Sequence, residues 1–256
     1  MNTICIAGFG KLGIEIGSIL PSGCVIRVVD LKNAELSGVE FFSPENIEEA
    51  LTGAEVLLIS HNNPNDVAVQ AQAAAKKRIP VIVATTGLSR ANIAFLKSIS
   101  DRIPIIISDN FSLGVALLAR QVREAARTLP AGWTAEIVEC HHGEKLDCPS
   151  GTAMKLAKEI CLGRNLDPEL AIKVGRPKGR SDGPRKKHEI YIHSVRGGTV
   201  FGKHTVTFFG TNECCNYEHE AGSRRVFANG AVYAINWIIN RTVSGLYDMN
   251  NVYGLS

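Results

Sequence analysis

Residues 139–152 read E-C-H-H-G-E-K-L-D-C-P-S-G-T. Two adjacent histidines, His141 and His142, are followed by Lys145, then by Pro149-Ser150-Gly151-Thr152 and a helix-like run, A-M-K-L-A-K-E-I. Histidine titrates near neutral pH and can give a proton to a reacting centre. A lysine close by adds a fixed positive charge. The free N–H groups where a helix begins, with the Ser150 and Thr152 hydroxyls, make a cradle for a carboxylate. Together these are the parts needed to hold a small carboxylate-bearing molecule and protonate it. Taken singly, each piece has a plainer reading: the histidines end a strand, and Pro-Ser-Gly-Thr caps a helix.

A proton donor completes a reduction only if a hydride comes from elsewhere, and the N-terminal residues offer a source. Gly8-Phe9-Gly10-Lys11-Leu12-Gly13 matches G-x-G-x-x-G, follows a strand-like run and opens a helix, the context in which the pattern reads as dinucleotide binding. Gly8 permits the tight turn, Gly10 lets a pyrophosphate approach the backbone, and Gly13 allows helix and strand to pack closely. Asp30 ends the second strand run at the spacing expected for a carboxylate on the adenosine ribose. It would repel a 2′-phosphate and so favours NADH, but Lys11 and Lys32 could offset that repulsion and keep NADPH open. Two more loops end strand runs, Ala84-Thr85-Thr86-Gly87 and Asp109-Asn110-Phe111-Ser112. Their small and hydroxyl residues suit a nicotinamide ring and its ribose, and equally suit helix caps.

The elements that must position these residues follow from periodicity. Short, β-branched, nearly unbroken apolar runs at 4–8, 25–30, 55–60, 80–84 and 104–108 alternate with helical stretches near 11–20, 64–78 and 89–100. Alternation of this kind predicts an α/β fold, a Rossmann-like doubly wound parallel sheet. The pattern changes after residue 112. A long helix is expected at 113–129, a half-buried strand at 133–141 ending on the histidines, a helix at 150–161, and strands at 188–195, 203–210 and 213–220. These neighbours predict an α+β domain with an open mixed or antiparallel sheet. The apolar helix at 224–240 should pack back on the first domain. The expected division is a dinucleotide-binding domain at 1–112, completed by 222–256, and a substrate-binding domain at 113–221.

Composition excludes several other classes. With 45% hydrophobic residues, the 256-residue chain can bury a sizeable core, and a net charge of +3 is too small to imply a nucleic-acid partner. The basic run at 173–187 is rich in Gly and Pro and reads as a solvated loop. No apolar run reaches the roughly 18 residues of a membrane span. Seven cysteines with no signal peptide before them point to reduced thiols and a cytoplasmic location. No C-x-x-C pair exists, so no metal site is expected. Arg196-Gly-Gly between two strands reads as a hairpin turn.

At the residues just described the chain resembles the 4-hydroxy-tetrahydrodipicolinate reductase family, also called dihydrodipicolinate reductases, of bacterial lysine biosynthesis. Residues 139–152 match every fixed position of the family's E-x-H-H-x-x-K-x-D-x-P-S-G-T. The glycine loop, T-T-G at 85–87, N-F-S at 110–112, Arg196-Gly-Gly, Gly202-Lys203-His204-Thr205 and S-R-x-x-F-A-N-G-A at 223–231 follow in the family's order. The resemblance implies NAD(P)H-dependent reduction of 4-hydroxy-tetrahydrodipicolinate to tetrahydrodipicolinate, with His141 as general acid and Lys145 as its catalytic partner. It implies that His142, Lys145, Ser150, Gly151 and Thr152 bind the substrate carboxylates. Thr85, Thr86, Gly87, Asn110 and Phe111 would hold the nicotinamide end, and Arg224 and Phe227 would reach the cofactor. It further implies a homotetramer built through the C-terminal sheets. The chain departs from the family at Glu144, at Ala84, and at His61-Asn62-Asn63-Pro64 in place of D-F-(T/S)-x-P. Two other readings share these residues: a paralogue reducing another carboxylated cyclic imine, and a non-catalytic dinucleotide-binding regulator. His141 and Lys145 argue against the latter, because a pure binder needs no acid beside a cation.

Overall fold

The computed structural model describes residues 2–31, 38–61, 63–176, 178–179 and 183–255. Lys32, Asn62 and four residues of the basic run (177 and 180–182) lie outside them. The chain divides into two compact units, one of Met1–Leu113 with Arg224–Ser256 and one of Gly114–Ser223.

The first unit holds β1 (Thr3–Ala7), α1 (Lys11–Ile19), β2 (Val25–Val29), β3 (Val39–Phe42), α2 (Ile47–Ala50), β4 (Val56–Ile59), α3 (Pro64–Lys76), β5 (Val81–Val83), α4 (Arg90–Ile99) and β6 (Pro104–Ile107). Its seven-stranded sheet runs β12-β6-β5-β4-β1-β2-β3, with the last strand, β12 (Gly245–Tyr247), supplied by the C-terminal segment. Every pairing is parallel. Such a sheet needs cover on both faces, which is why β4 (V-L-L-I) is apolar and buried throughout. Two apolar clusters provide it. One joins residues of α2, α3 and α4 to the sheet. The other joins α1, α8 (Arg225–Ile239) and α9 (Met249–Tyr253) to it. Ile235 and Ile238 of α8 are 1% and 0% exposed, each worth about 1.5–3 kcal/mol relative to an exposed side chain. Helix starts follow local chemistry. Asn63 caps α3 with Pro64 behind it, and Ser89 and Asn92 form a reciprocal capping box on α4.

The second unit holds α5 (Leu113–Thr128), β7 (Thr134–His141), α6 (Gly151–Arg164), α7 (Pro168–Ala171), β8 (Ile172–Val174), β9 (Ile190–Arg196), β10 (Lys203–Phe209) and β11 (Cys214–Glu220). Its sheet runs β11-β10-β7-β9-β8. Residues of α5 and α6 close over Ala135, Ile137, Ile190, Ile192, Val206 and Phe208 on one face. The sheet is mixed: β7–β9 and β8–β9 are parallel, β10–β7 and β10–β11 antiparallel. Of the mixed or antiparallel arrangement expected, the mixed one is found, whereas the hairpin expected at Arg196-Gly-Gly is corrected. β7 lies between β9 and β10, so the Gly197–Gly202 connection crosses over a strand instead of reversing beside one.

Candidate active site

In the first unit the strand order reverses direction of growth at β1, with β2 on one side and β4 on the other. Open α/β sheets bind ligands outside the strand ends at such a switch point. The glycine turn sits there. Gly8 has φ +92°, and a methyl group built on it would lie 2.5 Å from the His61 backbone N. Gly13 is similarly tight, with 2.7 Å from that position to the Gly8 carbonyl. Gly10 differs: it is exposed, and nothing lies within 4 Å of its added methyl. Gly10 also begins α1 with no side chain capping the helix N–H groups. Open space before uncapped N–H groups fits a dinucleotide pyrophosphate. Lys11 is exposed beside it, and Leu12 is half-buried.

Asp30 accepts a 2.6 Å hydrogen bond from the Phe9 backbone N–H, so the carboxylate also braces the turn. The Phe9 ring is 7% exposed and packs edge-on against Phe41. Thr85 is buried, its hydroxyl donating to the His61 carbonyl at 2.8 Å, which ties the loop after β5 to the loop after β4. Thr86 and Gly87 are exposed. The Asn110 side chain accepts from the Ser112 N–H. Phe111 is 2% exposed, its ring in the core and its carbonyl accepting from the Tyr253 hydroxyl. What Phe111 offers a ligand is therefore backbone rather than ring. Arg224 immediately precedes α8, without a side-chain capping bond, and Phe227 lies in its first turn, both half-buried.

In the second unit, alternation along β7 turns Glu139 and His141 toward the helix-covered face. Register brings the neighbours. Glu139 stands opposite His204 of β10 and Ser194 of β9, and His141 stands opposite Arg196. His141 Nδ1 lies 2.6 Å from Glu139 Oε2. Arg196 grips the same carboxylate through two 2.8 Å bonds, and the Ser150 N–H donates to Glu139 Oε1 at 3.2 Å. Ser150 is the N-cap of α6, its hydroxyl accepting from the Ala153 N–H and pairing with His204 Nε2 at 3.1 Å. Both polar groups of Ser150, expected to face a ligand, are committed within the protein, and the residue is 2% exposed. Gly151 is exposed and Thr152 half-buried at the start of α6. Lys145 pairs with Asp147 at 2.7 Å. Because Asp147 is 58% exposed, exchanging it for a ligand carboxylate costs little, as surface pairs are worth about 0–1 kcal/mol.

Burial pushes the His141 pKa down, Glu139 pulls it back up, and the net value stays below the ordinary histidine range. Burial opposes ionisation of Glu139 too, yet Arg196, Ser194 and His141 outweigh it and hold its carboxyl down to about 2. His204, almost fully buried with the His141 ring 5.2 Å away, is pushed down to about 4, chiefly by burial. Motif reading singled out neither Glu139 nor Arg196 as working residues. The signal was present in the Glu of E-x-H-H, but its partner lies 57 residues away and only sheet register brings it near. Among the described residues no helix is long and apolar enough to cross a membrane, and no cluster of His, Cys, Asp or Glu could hold a metal ion.

The fold and the glycine turn define a nicotinamide-dinucleotide-dependent oxidoreductase. Residues 3–111 match the family pattern described as dihydrodipicolinate reductase, N-terminus, and residues 114–253 match dihydrodipicolinate reductase, C-terminus. The 4-hydroxy-tetrahydrodipicolinate reductase of Exiguobacterium sp. is 36% identical over 99% of this chain and 96% of its own. That of Thiobacillus denitrificans is 37% identical over 82% of this chain and 78% of its own. A dipicolinate-bound dihydrodipicolinate reductase structure from Paenisporosarcina sp. TG-14 shares the fold, with a TM-score of 0.77 and 24% identity over 97% of both chains. The chain belongs to the dihydrodipicolinate reductase family.

Proposed function

We propose that this protein reduces 4-hydroxy-tetrahydrodipicolinate to tetrahydrodipicolinate with NAD(P)H, in lysine and diaminopimelate synthesis. The observation that carries this reading is His141, anchored at one ring nitrogen beside Lys145 at the entrance to α6, in a chain whose relatives bear that enzyme's name. When bound, NAD(P)H supplies a hydride to C4 of the cyclic acceptor. His141 supplies the accompanying proton, and one water is lost overall. His142, Lys145 and the N–H groups of Gly151 and Thr152 hold the acceptor's carboxylates, while Ser150 shapes the turn that presents them. Gly8 to Gly13 receive the pyrophosphate, and Asp30 meets the adenosine ribose. Thr85, Thr86, Gly87, Asn110 and Phe111 frame the nicotinamide, with Arg224 and Phe227 beside the cofactor. A cytoplasmic location is part of this reading, and the seven free cysteines fit a reducing compartment.

The test is nicotinamide oxidation on adding freshly generated 4-hydroxy-tetrahydrodipicolinate. Turnover is expected with both nucleotides and a higher kcat/KM for NADH, because the Asp30 carboxylate repels a 2′-phosphate. Absence of oxidation with either would sink the activity, and a preference for NADPH would sink the role given to Asp30.

We further propose a homotetramer formed through the second unit's sheet. Its helix-free face carries Val138, Val195 and Phe209, 44%, 47% and 45% exposed, among Glu136, Thr205, Thr207 and Glu218, and apolar side chains left exposed on an open sheet face suit burial against another copy. Light scattering should return four chain masses, and a single-chain mass would refute the assembly.

A further inference from the structure

We propose that Glu139 and Arg196 are positioning residues: Glu139 accepts a hydrogen bond from the Nδ1–H of His141 and so leaves Nε2 as the atom that delivers the reaction's proton, while Arg196 neutralises the buried carboxylate. The proposal rests on the reading of His141 as the acid. Glu139 has no exposed surface, and a carboxylate in that position is tolerated only if it is paired and hydrogen-bonded. It has Arg196 Nη1 and Nη2 at 2.8 Å, the Ser150 N–H at 3.2 Å and His141 Nδ1 at 2.6 Å. Arg196 also donates to the Asp147 carbonyl at 2.7 Å, so one guanidinium joins β9 to the turn that carries Lys145.

The other ring nitrogen is kept clear. Gly202, with φ +152°, lies so close that an added methyl would stand 3.1 Å from His141 Nε2. An imidazole held at Nδ1 by a carboxylate has a fixed ring orientation, and in its neutral form carries its proton on Nδ1. Nε2 then gains a proton on ionisation and gives it up in the reaction, so the same atom is acid and the same atom is reprotonated.

The charged and titratable groups around His141 set the pH response. They are Glu139 on its own strand, Arg196 on β9, His204 on β10 with His219 behind it on β11, and His142, Lys145 and Asp147 in the turn after β7. Glu139 favours the imidazolium, whereas Lys145 and Arg196 disfavour it.

Glu139→Gln keeps the shape and removes the charge. The alkaline limb of kcat/KM should move to lower pH, and kcat should fall about 10- to 100-fold, part of the roughly 100- to 10,000-fold that a positioned acid supplies. KM should change little. Arg196→Gln removes a nearby positive charge, so its limb should move the other way, to higher pH. A purely structural Glu139 would lower the melting temperature and leave both limbs in place, which would overturn the proposal. Nitrogen-15 shifts of the wild-type histidines, read above the His141 pKa, give the tautomer without any variant or turnover. Protonation at Nδ1 is expected, and protonation at Nε2 would overturn the assignment even if Glu139→Gln failed to fold. If wild type oxidised no nicotinamide nucleotide, the failure would belong to the proposed reaction, while the nitrogen shifts would still decide how Glu139 holds the ring.

Discussion

Replacing His141 with glutamine should lower kcat by about 100- to 10,000-fold, the range a positioned proton donor contributes, with KM for the acceptor nearly unchanged. Glutamine can still hydrogen-bond, so much of the local packing survives, but it has no proton to give near neutral pH. The pH dependence sharpens the expectation. Only imidazolium can act as the acid, and burial moves the His141 pKa below the ordinary histidine value despite Glu139. The wild-type kcat/KM should therefore fall as pH rises through a limb on the acid side of that ordinary value. In His141→Gln the limb should vanish. A variant with near wild-type kcat, or one that kept the limb, would show that the proton comes from another group.

His204 is not that group. It is buried, its pKa is pushed down to about 4, and its Nε2 is occupied by the Ser150 hydroxyl. Its Nδ1 has no partner among the described residues. Burial thus favours its neutral form, and the ring serves as a wedge between β10 and the α6 cap. The division of labour among neighbouring histidines thus follows from burial and register. His141 has a carboxylate at one nitrogen and a glycine before the other, while His204 has neither.

Much of this was readable in the sequence, for definable reasons. The strands of the first unit announce themselves because a parallel sheet covered on both faces demands unbroken apolar runs such as V-L-L-I at Val56–Ile59. Three of the edge strands do not. Val39–Phe42 is half-exposed, and Ile172–Val174 and Gly245–Tyr247 are three residues each, too short to show a period. The order of strands in the second unit was also hidden. Chain neighbours favour hairpins, yet Thr134–His141 separates Ile190–Arg196 from Lys203–Phe209. That insertion is what sets Arg196 opposite His141. The histidine, the lysine and the serine cap could be found by spacing, but the carboxylate–guanidinium pair behind them could not. In the same way, spacing marked Ser150 as a ligand donor, and only the fold reveals that Glu139, Ala153 and His204 occupy its groups.

The three glycines of the turn should respond differently to the same substitution. Gly10→Ala adds its methyl to open space, so the melting temperature should stay within about 2 °C of wild type, the range of a surface change. The methyl would stand where a pyrophosphate must approach the start of α1, and KM for the nicotinamide nucleotide should rise by about tenfold or more, since each 1.4 kcal/mol of lost contact is a factor of ten. Gly8→Ala places a side chain 2.5–2.7 Å from the His61 backbone and Cβ at a φ of +92°. Overpacking and left-handed strain together should cost about 2–5 kcal/mol. Gly13→Ala meets the Gly8 carbonyl at 2.7 Å and should fall between the two. Thermal melts with and without nucleotide separate the effects: Gly10→Ala should melt like wild type alone and lose the shift on adding nucleotide. If Gly10→Ala kept that shift in full, the phosphates would not lie over Gly10, and the nucleotide would have to enter by another edge of the sheet.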